Sequence, residues 1–385
     1  MDEAGSAVEV TPPESLPGVP RSRYDLDKAQ LAELLEGQPR FRLDQIWEAL
    51  YIQGKEPAQM SNLPRSLRQQ LDHAAPAALQ VATESNADNG ETVKTLWALA
   101  DGALVESVLM HYRDRTTVCV STQAGCAMAC GFCATGQAGF HRHLSAGEII
   151  EQVVRARHRA LATNRRLSNV VFMGMGEPLA NYDRVWTALR RMHGDMGLSA
   201  RHLTVSTVGL VAGIRRMASE PEPVNLAVSL HAADDALRNQ LVPINQRYPL
   251  DELMDACAQY LAAKNRRLSF EWAMIDGVND RAQDAIGLAA RARPLRAHVN
   301  LIPLNATPGY PTTGTPPARV AAFRDRLIEL GVNATVRRNR GSDIDAACGQ
   351  LAARPQTLDT PVAAPARRAV PRPDSGARAP LPTGT

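Results

Sequence analysis

The sequence predicts an α/β protein whose larger part is a parallel β-sheet, preceded by a small helical segment and a β-hairpin. Three patterns carry this prediction. Residues 27–73 place apolar side chains at helical intervals, residues 93–110 alternate as paired strands do, and strand and helix patterns alternate from Thr116 onward. Repeated strand–helix units imply a parallel sheet, because each helix returns the chain to the start of the next strand.

The helical segment comes first in the chain. Leu31, Leu34 and Leu35 share one helical face. Residues 62–64 (Asn-Leu-Pro) are typical of a helix start, with proline near the first helical position. The hairpin that follows turns at residues 101–102 (Asp-Gly), a dipeptide that tolerates the positive φ angles of tight turns.

Six longer strands and one short strand are predicted for the parallel sheet. They span residues 117–121, 169–173, 202–206, 225–230, 268–274, 298–304 and, for the short one, 334–337. Amphipathic helices are predicted between and after them, for example at residues 145–160, 250–263 and 319–330. An open sheet and a barrel have the same pattern, so both stay open at this point. In either form, functional residues are expected at the C-terminal ends of the strands.

Composition changes at both ends of the chain. Residues 1–23 are rich in Pro, Ser and Glu, and residues 352–385 are rich in Pro, Ala and Arg without apolar periodicity. We therefore expect disordered ends. Between them we expect a helical accessory domain at 24–80, a hairpin connector at 81–115 and an α/β core at 116–351.

The overall composition argues against several classes of protein. No apolar run approaches the length of a membrane span, and the first residues lack the pattern of a secretory signal. Six cysteines in 385 residues do not form a secreted disulfide framework. We therefore expect a cytoplasmic protein with no membrane partner. A net charge of +3 does not by itself predict a nucleic-acid partner.

Three cysteines, Cys126, Cys130 and Cys133, follow the first strand of the predicted parallel sheet at Cys-x3-Cys-x2-Cys spacing. They are one ligand fewer than a closed zinc site or a fully ligated iron–sulfur cluster needs, so one position would be open to a small molecule. An iron–sulfur centre is favoured, because zinc ribbons and fingers usually have two paired ligand sets. A zinc site would need a remote fourth ligand, and the candidates are Cys119, His141 and His143.

Polar and glycine-rich stretches follow the ends of the other predicted strands. They are residues 174–177 (Gly-Met-Gly-Glu), 206–209 (Ser-Thr-Val-Gly), 229–231 (Ser-Leu-His) and 303–305 (Pro-Leu-Asn). Each alone could be a turn, a helix cap or part of the core. Because they converge on one edge of the predicted sheet, together they predict a pocket.

These motifs resemble the radical S-adenosylmethionine (SAM) superfamily and, within it, the family of rRNA adenine C2-methyltransferases called RlmN, with its relative Cfr. The resemblance covers nearly all of residues 27–351. Its carriers are residues 119–126 (CVSTQAGC), 130–136 (CGFCATG), 173–178 (MGMGEP), 229–232 (SLHA), 300–305 (NLIPLN) and 341–351 (GSDIDAACGQL). The cluster motif alone indicates the superfamily, whereas Cys119 and the segment around Cys348 indicate the family.

The resemblance implies a radical-SAM partial (βα)6 barrel with a small N-terminal helical domain that helps to grip RNA, and with a connecting β-hairpin. It also implies one 4Fe–4S cluster held by Cys126, Cys130 and Cys133, with SAM completing the open iron. The positions that match SAM contacts in the family are Gly176, Glu177, Ser206, Ser229, Leu230, His231 and Asn305.

Three further residues match reactive groups of the family. Cys348 matches the cysteine that one SAM methylates, Cys119 the cysteine that later forms a transient disulfide with it, and Glu106 the proposed general base. A second SAM would supply a 5′-deoxyadenosyl radical that takes a hydrogen atom from the methyl group. Two SAM molecules per turnover are therefore expected. An electron donor such as a flavodoxin-type protein and a thiol reductant that resets the disulfide are expected as partners.

The product expected from the resemblance is an adenine methylated at C2 in 23S rRNA by a monomeric enzyme, with tRNA as a further candidate substrate. Two alternatives stay open. A Cfr-like enzyme would methylate C8 with the same cysteines, and a zinc-stabilised RNA-binding protein would lack catalysis.

Some residues also have simpler interpretations. Without the resemblance, Cys119 would be a core residue and Glu106 could lie on the solvent face of the hairpin. Cys257 matches no motif and is expected in the core. Among several arginine pairs, residues 337–340 (Arg-Arg-Asn-Arg) are the best candidates for contact with RNA phosphates.

Overall fold

A computed structural model describes residues 21–307, 309–310 and 312–352. The expected disordered ends, 1–23 and 352–385, lie almost wholly outside these residues. Where they overlap, the chain is ordered, which corrects the two expected boundaries. Ser22 and Arg23 are buried, with Arg23 Nη2 2.9 Å from Asp72 Oδ1. The Ala352 N–H donates a hydrogen bond to Oε2 of the buried Glu106 at 2.9 Å. These contacts, which sequence composition does not encode, hold both positions.

Three helices form the N-terminal segment: α1 (Lys28–Leu34), α2 (Phe41–Tyr51) and α3 (Arg65–Ala74). Asp27 begins α1 with a capping box, in which its carboxylate accepts a hydrogen bond from the Gln30 N–H. Pro64 directly precedes α3, in agreement with the predicted helix start. The buried faces of these helices belong to the same hydrophobic core as the sheet.

The connector is a three-stranded antiparallel meander rather than a single hairpin. Its strands are β1 (Leu79–Ala87), β2 (Thr92–Leu99) and β3 (Leu104–His111). The sequence predicted β2 and β3 but not β1, which is polar and largely exposed. Backbone pairing at the edge of the sheet stabilises β1, and an apolar pattern does not reveal this kind of stabilisation.

The parallel strands lie where the sequence predicted them, within a few residues. They are β4 (Thr116–Cys119), β7 (Leu167–Phe172), β8 (Leu203–Thr207), β9 (Asn225–Ser229), β10 (Leu268–Met274), β11 (His298–Pro303) and β12 (Ala334–Val336). Two short strands, β5 (Gln123–Gly125) and β6 (Phe140–His143), pair apart from them. The main sheet has the order β1-β2-β3-β4-β7-β8-β9-β10-β11-β12.

Helices connect successive parallel strands. They are α4 (Ala134–Gln137), α5 (Ala146–Ala162), α6 (Tyr182–Gly194), α7 (Val211–Ser219), α8 (Asp235–Leu241), α9 (Leu250–Lys264), α10 (Ala282–Ala292) and α11 (Pro317–Glu329). Six crossovers therefore lead from β4 to β12. Within the described residues, β1 and β12 are the two edges of the sheet, so the six units do not close into a full barrel. This confirms the predicted fold class. None of the described helices combines the length and the apolar character that crossing a bilayer requires.

Candidate active site

One cavity lies at the C-terminal ends of the parallel strands and collects most of the residues that the sequence predicted. They are Cys126, Cys130, Cys133, Gly176, Glu177, Ser206, Ser229, His231, Asn305 and Cys348. We call it the active-site cavity. Loops after six of the parallel strands contribute to it, because parallel strands end at the same edge of the sheet.

The cysteine loop is held by short-range backbone contacts. The Cys126 N–H donates to Gly139 O at 2.8 Å, and the Cys133 N–H donates to Cys130 O at 3.1 Å. Burial raises the pKa of Cys126 to about 11 and also raises the pKa of Cys130, and the neighbouring thiols add to both shifts. The thiols therefore prefer to stay protonated until a metal centre displaces their protons.

The donor set of this loop fits a 4Fe–4S cluster with one open iron. Three thiols line one cavity, and none of the candidate fourth ligands joins them. His143 Nδ1 instead lies 3.0 Å from Gln123 Nε2, and Cys119 lines a different cavity. Among the described residues, no three His, Cys, Asp or Glu side chains are gathered tightly enough for one metal ion. A cubane cluster spreads its cysteine ligands further apart than a single ion does.

Glu177 presents a buried carboxylate to the cavity. Its Oε1 accepts from the Leu179 N–H at 2.9 Å and its Oε2 from the Val208 N–H at 2.8 Å. Burial raises the pKa of Glu177 to about 7, although these backbone donors act in the opposite direction. Such a carboxylate suits the amino group of a ligand. Gly176 precedes it at φ +97°, where a Cβ would lie 2.5 Å from Gln123 Cβ.

His231 is a buried neutral imidazole at the cavity wall. Its Nδ1 accepts a hydrogen bond from the Ala273 N–H at 3.0 Å, so the proton of the ring is on Nε2. Burial lowers the pKa of His231 to about 3. Its ring packs edge-on against Phe132, with centroids 4.8 Å apart, which links it to the cysteine loop.

The remaining predicted SAM positions differ in their placement. Ser206 and Ser229 line the cavity. Asn305 lines it too, and its Nδ2 donates to Cys348 O at 3.0 Å. Leu230 is fully buried and is not among the lining residues; its N–H donates to Glu271 O. Leu230 therefore helps to place its two neighbours from within the core.

Cys348 lies on residues 345–352, which we call the catalytic segment. Cys348 lines the active-site cavity and also a smaller neighbouring cavity, which contains Cys119 at the end of β4. Both cysteines are free thiols. Burial raises the pKa of Cys119 to about 12. Cys257 is fully buried on α9, as expected for a core residue.

Arg337 has a different place from the one predicted for it. It lines both cavities, and the thiolate form of Cys348 is the main cause that raises the pKa of Arg337. Arg340 Nη1 donates to His111 O at 2.8 Å. Only Arg338 of this run is an exposed arginine. The sequence did not reveal this position of Arg337, because a run of basic residues usually indicates a solvated surface.

Glu106 is buried on β3, in contrast to the alternative of a solvent-exposed position. It lines neither of the two cavities, although it lies on the same strand face as Val108, which lines the smaller one. Its Oε1 lies 3.0 Å from Lys94 Nζ, and its Oε2 accepts from the Ala352 N–H at 2.9 Å. Sequence reasoning missed Lys94. The available signal in the sequence was that Lys94 is the one charged residue of strand β2.

Glu271 was also missed. It lines the active-site cavity from β10, and its Oε1 accepts from Ser269 Oγ and Asn300 Nδ2. Its Oε2 is buried without a hydrogen-bond partner among the described residues. A buried oxygen of this kind is suited to a ligand donor.

Six βα units and an open-sided cysteine loop beside a polar cavity define the class: this is a radical SAM enzyme. The sequence pattern of the Radical SAM superfamily matches residues 120–289. A solved radical SAM methyltransferase from Sphaerobacter thermophilus is 49% identical, with a TM-score of 0.85 over 87% of this chain and 100% of that one.

Curated relatives narrow the class to a family. Proteins named probable dual-specificity RNA methyltransferase RlmN occur in Chloroflexus aurantiacus and Corynebacterium glutamicum. The first is 49% identical over 87% of this chain and 93% of its own length, and the second is 48% identical over 87% and 95%. The chain belongs to the RlmN family of radical SAM RNA methyltransferases. Membership implies SAM and a 4Fe–4S cluster as cofactors.

Proposed function

We propose that this chain methylates carbon C2 of an adenine in 23S rRNA through a methyl group carried on Cys348, with tRNA as a second substrate. One observation carries the proposal: Cys348 lines both the active-site cavity and the smaller cavity that contains Cys119. A single thiol therefore adjoins the site of the methyl donor and the site of a second thiol. A carrier that is later released by a disulfide needs this arrangement.

The chemistry of the substrate explains why a protein thiol is needed. Adenine C2 lies between two ring nitrogens and is electron-poor, and the methyl group of SAM is also electrophilic. Direct transfer would therefore pair two electrophiles. In the proposed first step, the Cys348 thiolate bonds to the methyl carbon while the methyl–sulfonium bond breaks, which leaves a neutral thioether.

The chain's residues prepare this step. Glu177, Asn305 and His231 offer polar groups on three sides of the active-site cavity and would orient the amino acid and nucleoside parts of SAM. The cluster with a second SAM would supply the radical that removes a hydrogen atom from the methyl group on Cys348. The carbon radical on Cys348 then adds to C2 and joins protein to RNA.

Release of the product falls to Glu106 and Cys119. The unpaired electron of the adduct would return to the oxidised cluster, and Glu106 accepts the C2 proton of the adduct. Cys119 then attacks Cys348 as a thiolate. The sulfur–sulfur bond forms as the bond from Cys348 to the RNA methylene breaks, and the methylene takes up a proton to become methyl. A thiol reductant resets the disulfide. The adenine must be unstacked to reach this depth.

In vitro methylation of an rRNA fragment tests the proposal. We expect brown, iron-containing reconstituted protein to form 2-methyladenosine, identified by mass analysis of the nucleosides. Cys348→Ala should abolish the product, whereas Cys257→Ala, which changes a core thiol outside both cavities, should retain it. Formation of 8-methyladenosine would instead establish the Cfr-like reaction. Colourless protein with zinc and no iron would establish the non-catalytic alternative.

A further inference from the structure

The two ends of the catalytic segment are attached to one buried ion pair. At the first end, Lys94 Nζ lies 3.4 Å from Asp345 O. At the other end, the Ala352 N–H donates to Glu106 Oε2 at 2.9 Å. Lys94 Nζ and Glu106 Oε1 are 3.0 Å apart and complete the connection. The segment that carries Cys348 is thus closed into a loop on strands β2 and β3.

The strands determine the position of the ion pair. Lys94 lies opposite Val108, and Glu106 lies opposite Leu96, so the two charged side chains are diagonal neighbours on one face of the meander. Lys94 is 6% exposed and Glu106 is 2% exposed. Removing either partner would leave the charge of the other buried and uncompensated, which costs more than breaking a surface ion pair.

The barrel holds the middle of the same segment. The Ala134 N–H donates to Gly349 O at 2.7 Å, and Thr135 Oγ1 donates to Leu351 O at 2.6 Å. Both donors follow directly after Cys133 of the cluster loop. The position of Cys348 therefore depends on two supports, one on the cluster loop and one on the Lys94–Glu106 pair.

We propose that Lys94 is a positioning residue that, through Glu106, holds the catalytic segment closed over the cavities, and that the Ala352 end must leave Glu106 before Glu106 accepts the substrate proton. The second part rests on the proposed function. In the closed state, both carboxylate oxygens of Glu106 have protein partners. Departure of Ala352 would remove the hydrogen bond that Oε2 accepts from its N–H, while Lys94 would stay beside Oε1. Proton removal is thereby coupled to movement of Cys348.

Hydrogen exchange in the cluster-loaded enzyme without RNA tests this inference. Lys94→Gln should speed amide exchange across residues 346–352 by about fivefold or more, since one stabilising contact of the segment is lost. Lys94→Arg, which keeps the charge, should restore protection. Lys28→Gln is the matched control, because it removes a lysine from an exposed pair with Asp44 and should leave the segment unchanged.

Ala352→Pro is a second variant that should loosen the catalytic segment, and it leaves the Lys94–Glu106 ion pair intact. It removes the N–H that donates to Glu106 and also restricts the backbone of residues 351 and 352. It should speed exchange at residues 346–351 to a similar degree. Both loosening variants should also slow methylation of Cys348 by SAM without RNA, measured by peptide mass.

Wild-type exchange rates in both Lys94→Gln and Ala352→Pro would overturn the inference, and faster exchange in Ala352→Pro alone would overturn the role of Lys94. Failure of the wild type to methylate RNA would instead contradict the proposed function, and the exchange comparison would still decide whether Lys94 holds the segment.

Discussion

Arg337 lines the active-site cavity and the smaller cavity, as Cys348 does. Its backbone N–H donates to Leu301 O at 2.8 Å, and its guanidinium Nη1 lies 4.0 Å from Met173 Sδ. A positive charge beside a thiol favours the thiolate, which is the nucleophile. In the proposed mechanism, the same charge would be available to Cys119 once Cys348 is a neutral thioether.

Replacement of Arg337 should therefore slow the first methyl transfer. We expect Arg337→Met to reduce the rate of Cys348 methylation without RNA by about tenfold, because the positive charge beside the nucleophilic sulfur is lost. Arg337→Lys should retain most of the rate. Peptide mass analysis measures both rates, and an unchanged rate in Arg337→Met would contradict this role.

His231 makes stability depend on pH in a definite direction. Its folded pKa of about 3 lies below the ordinary value of 6.5, so the unfolded chain binds the extra proton first as the pH falls. The contribution is complete above pH 6.5 and is lost progressively toward pH 3. At about pH 5 the loss should be about 2 kcal/mol relative to neutral pH.

Urea unfolding of His231→Gln at several pH values checks this expectation. The variant should be less stable at neutral pH, because it loses the ring that accepts from the Ala273 N–H and packs on Phe132. Its stability should nevertheless fall less between pH 7 and pH 5. His202→Gln, at an exposed histidine, should follow the wild type. Equal slopes for His231→Gln and the wild type would show that the imidazole is not held neutral.

At the scale of secondary-structure elements, the small β5–β6 sheet determines where the cluster loop begins and ends. Gly125 ends β5 at φ +76°, and a Cβ there would lie 2.0 Å from Gly139 O. Cys126, the next residue, donates its N–H to that same oxygen. The first cluster ligand is therefore placed by a backbone approach that only glycine permits.

Gly125→Ala should consequently lower the iron bound after anaerobic reconstitution by half or more, because the strand end and Cys126 must shift together. Gly139→Ala is the matched control: it has a similar φ of +80° but open space around the added methyl group. Iron and sulfide per protein, with the visible absorbance, measure the effect. Equal iron contents in the two variants would mean that the contact with Gly139 O is unimportant.

At the scale of the whole molecule, the helical segment and the barrel share one hydrophobic core. Trp47 of α2 connects them, since its Nε1 donates to Asp195 Oδ1 at 3.0 Å and its ring lies under Arg191, 5.1 Å from the guanidinium. Asp195 directly follows α6 of the barrel. The helices are thus packed as an extension of the barrel core.

We therefore expect one cooperative unfolding transition for the region that the structure describes, and a large effect of Trp47→Ala on the free energy of unfolding. Loss of the buried indole should cost about 3–5 kcal/mol. Phe41→Ala, at a side chain of α2 that is 60% exposed, should cost far less. Circular dichroism and tryptophan fluorescence during denaturation measure both, and separate transitions for helices and barrel would contradict a shared core.

The sequence alone determined the order of the parallel strands and their helices, and it showed the three-cysteine loop that we expect to hold the cluster. Apolar periodicity is a local property, and Cys126, Cys130 and Cys133 lie in one short loop, so neither depends on distant contacts. The sequence did not predict the edge strand β1, because backbone pairing, and not its side chains, stabilises this strand. The partial barrel and the SAM positions came from resemblance to a family, since an open sheet has the same periodicity.

Only the tertiary structure decided how the catalytic segment is held. Glu106 and Ala352 are separated by 246 residues and Lys94 and Asp345 by 251, so no local pattern relates them. The same holds for Arg337, whose sequence neighbours indicate a solvated basic surface while folding places it beside Cys348. What a charged side chain does depends on the groups that lie beside it in the folded protein, and the packing of the whole chain determines those groups.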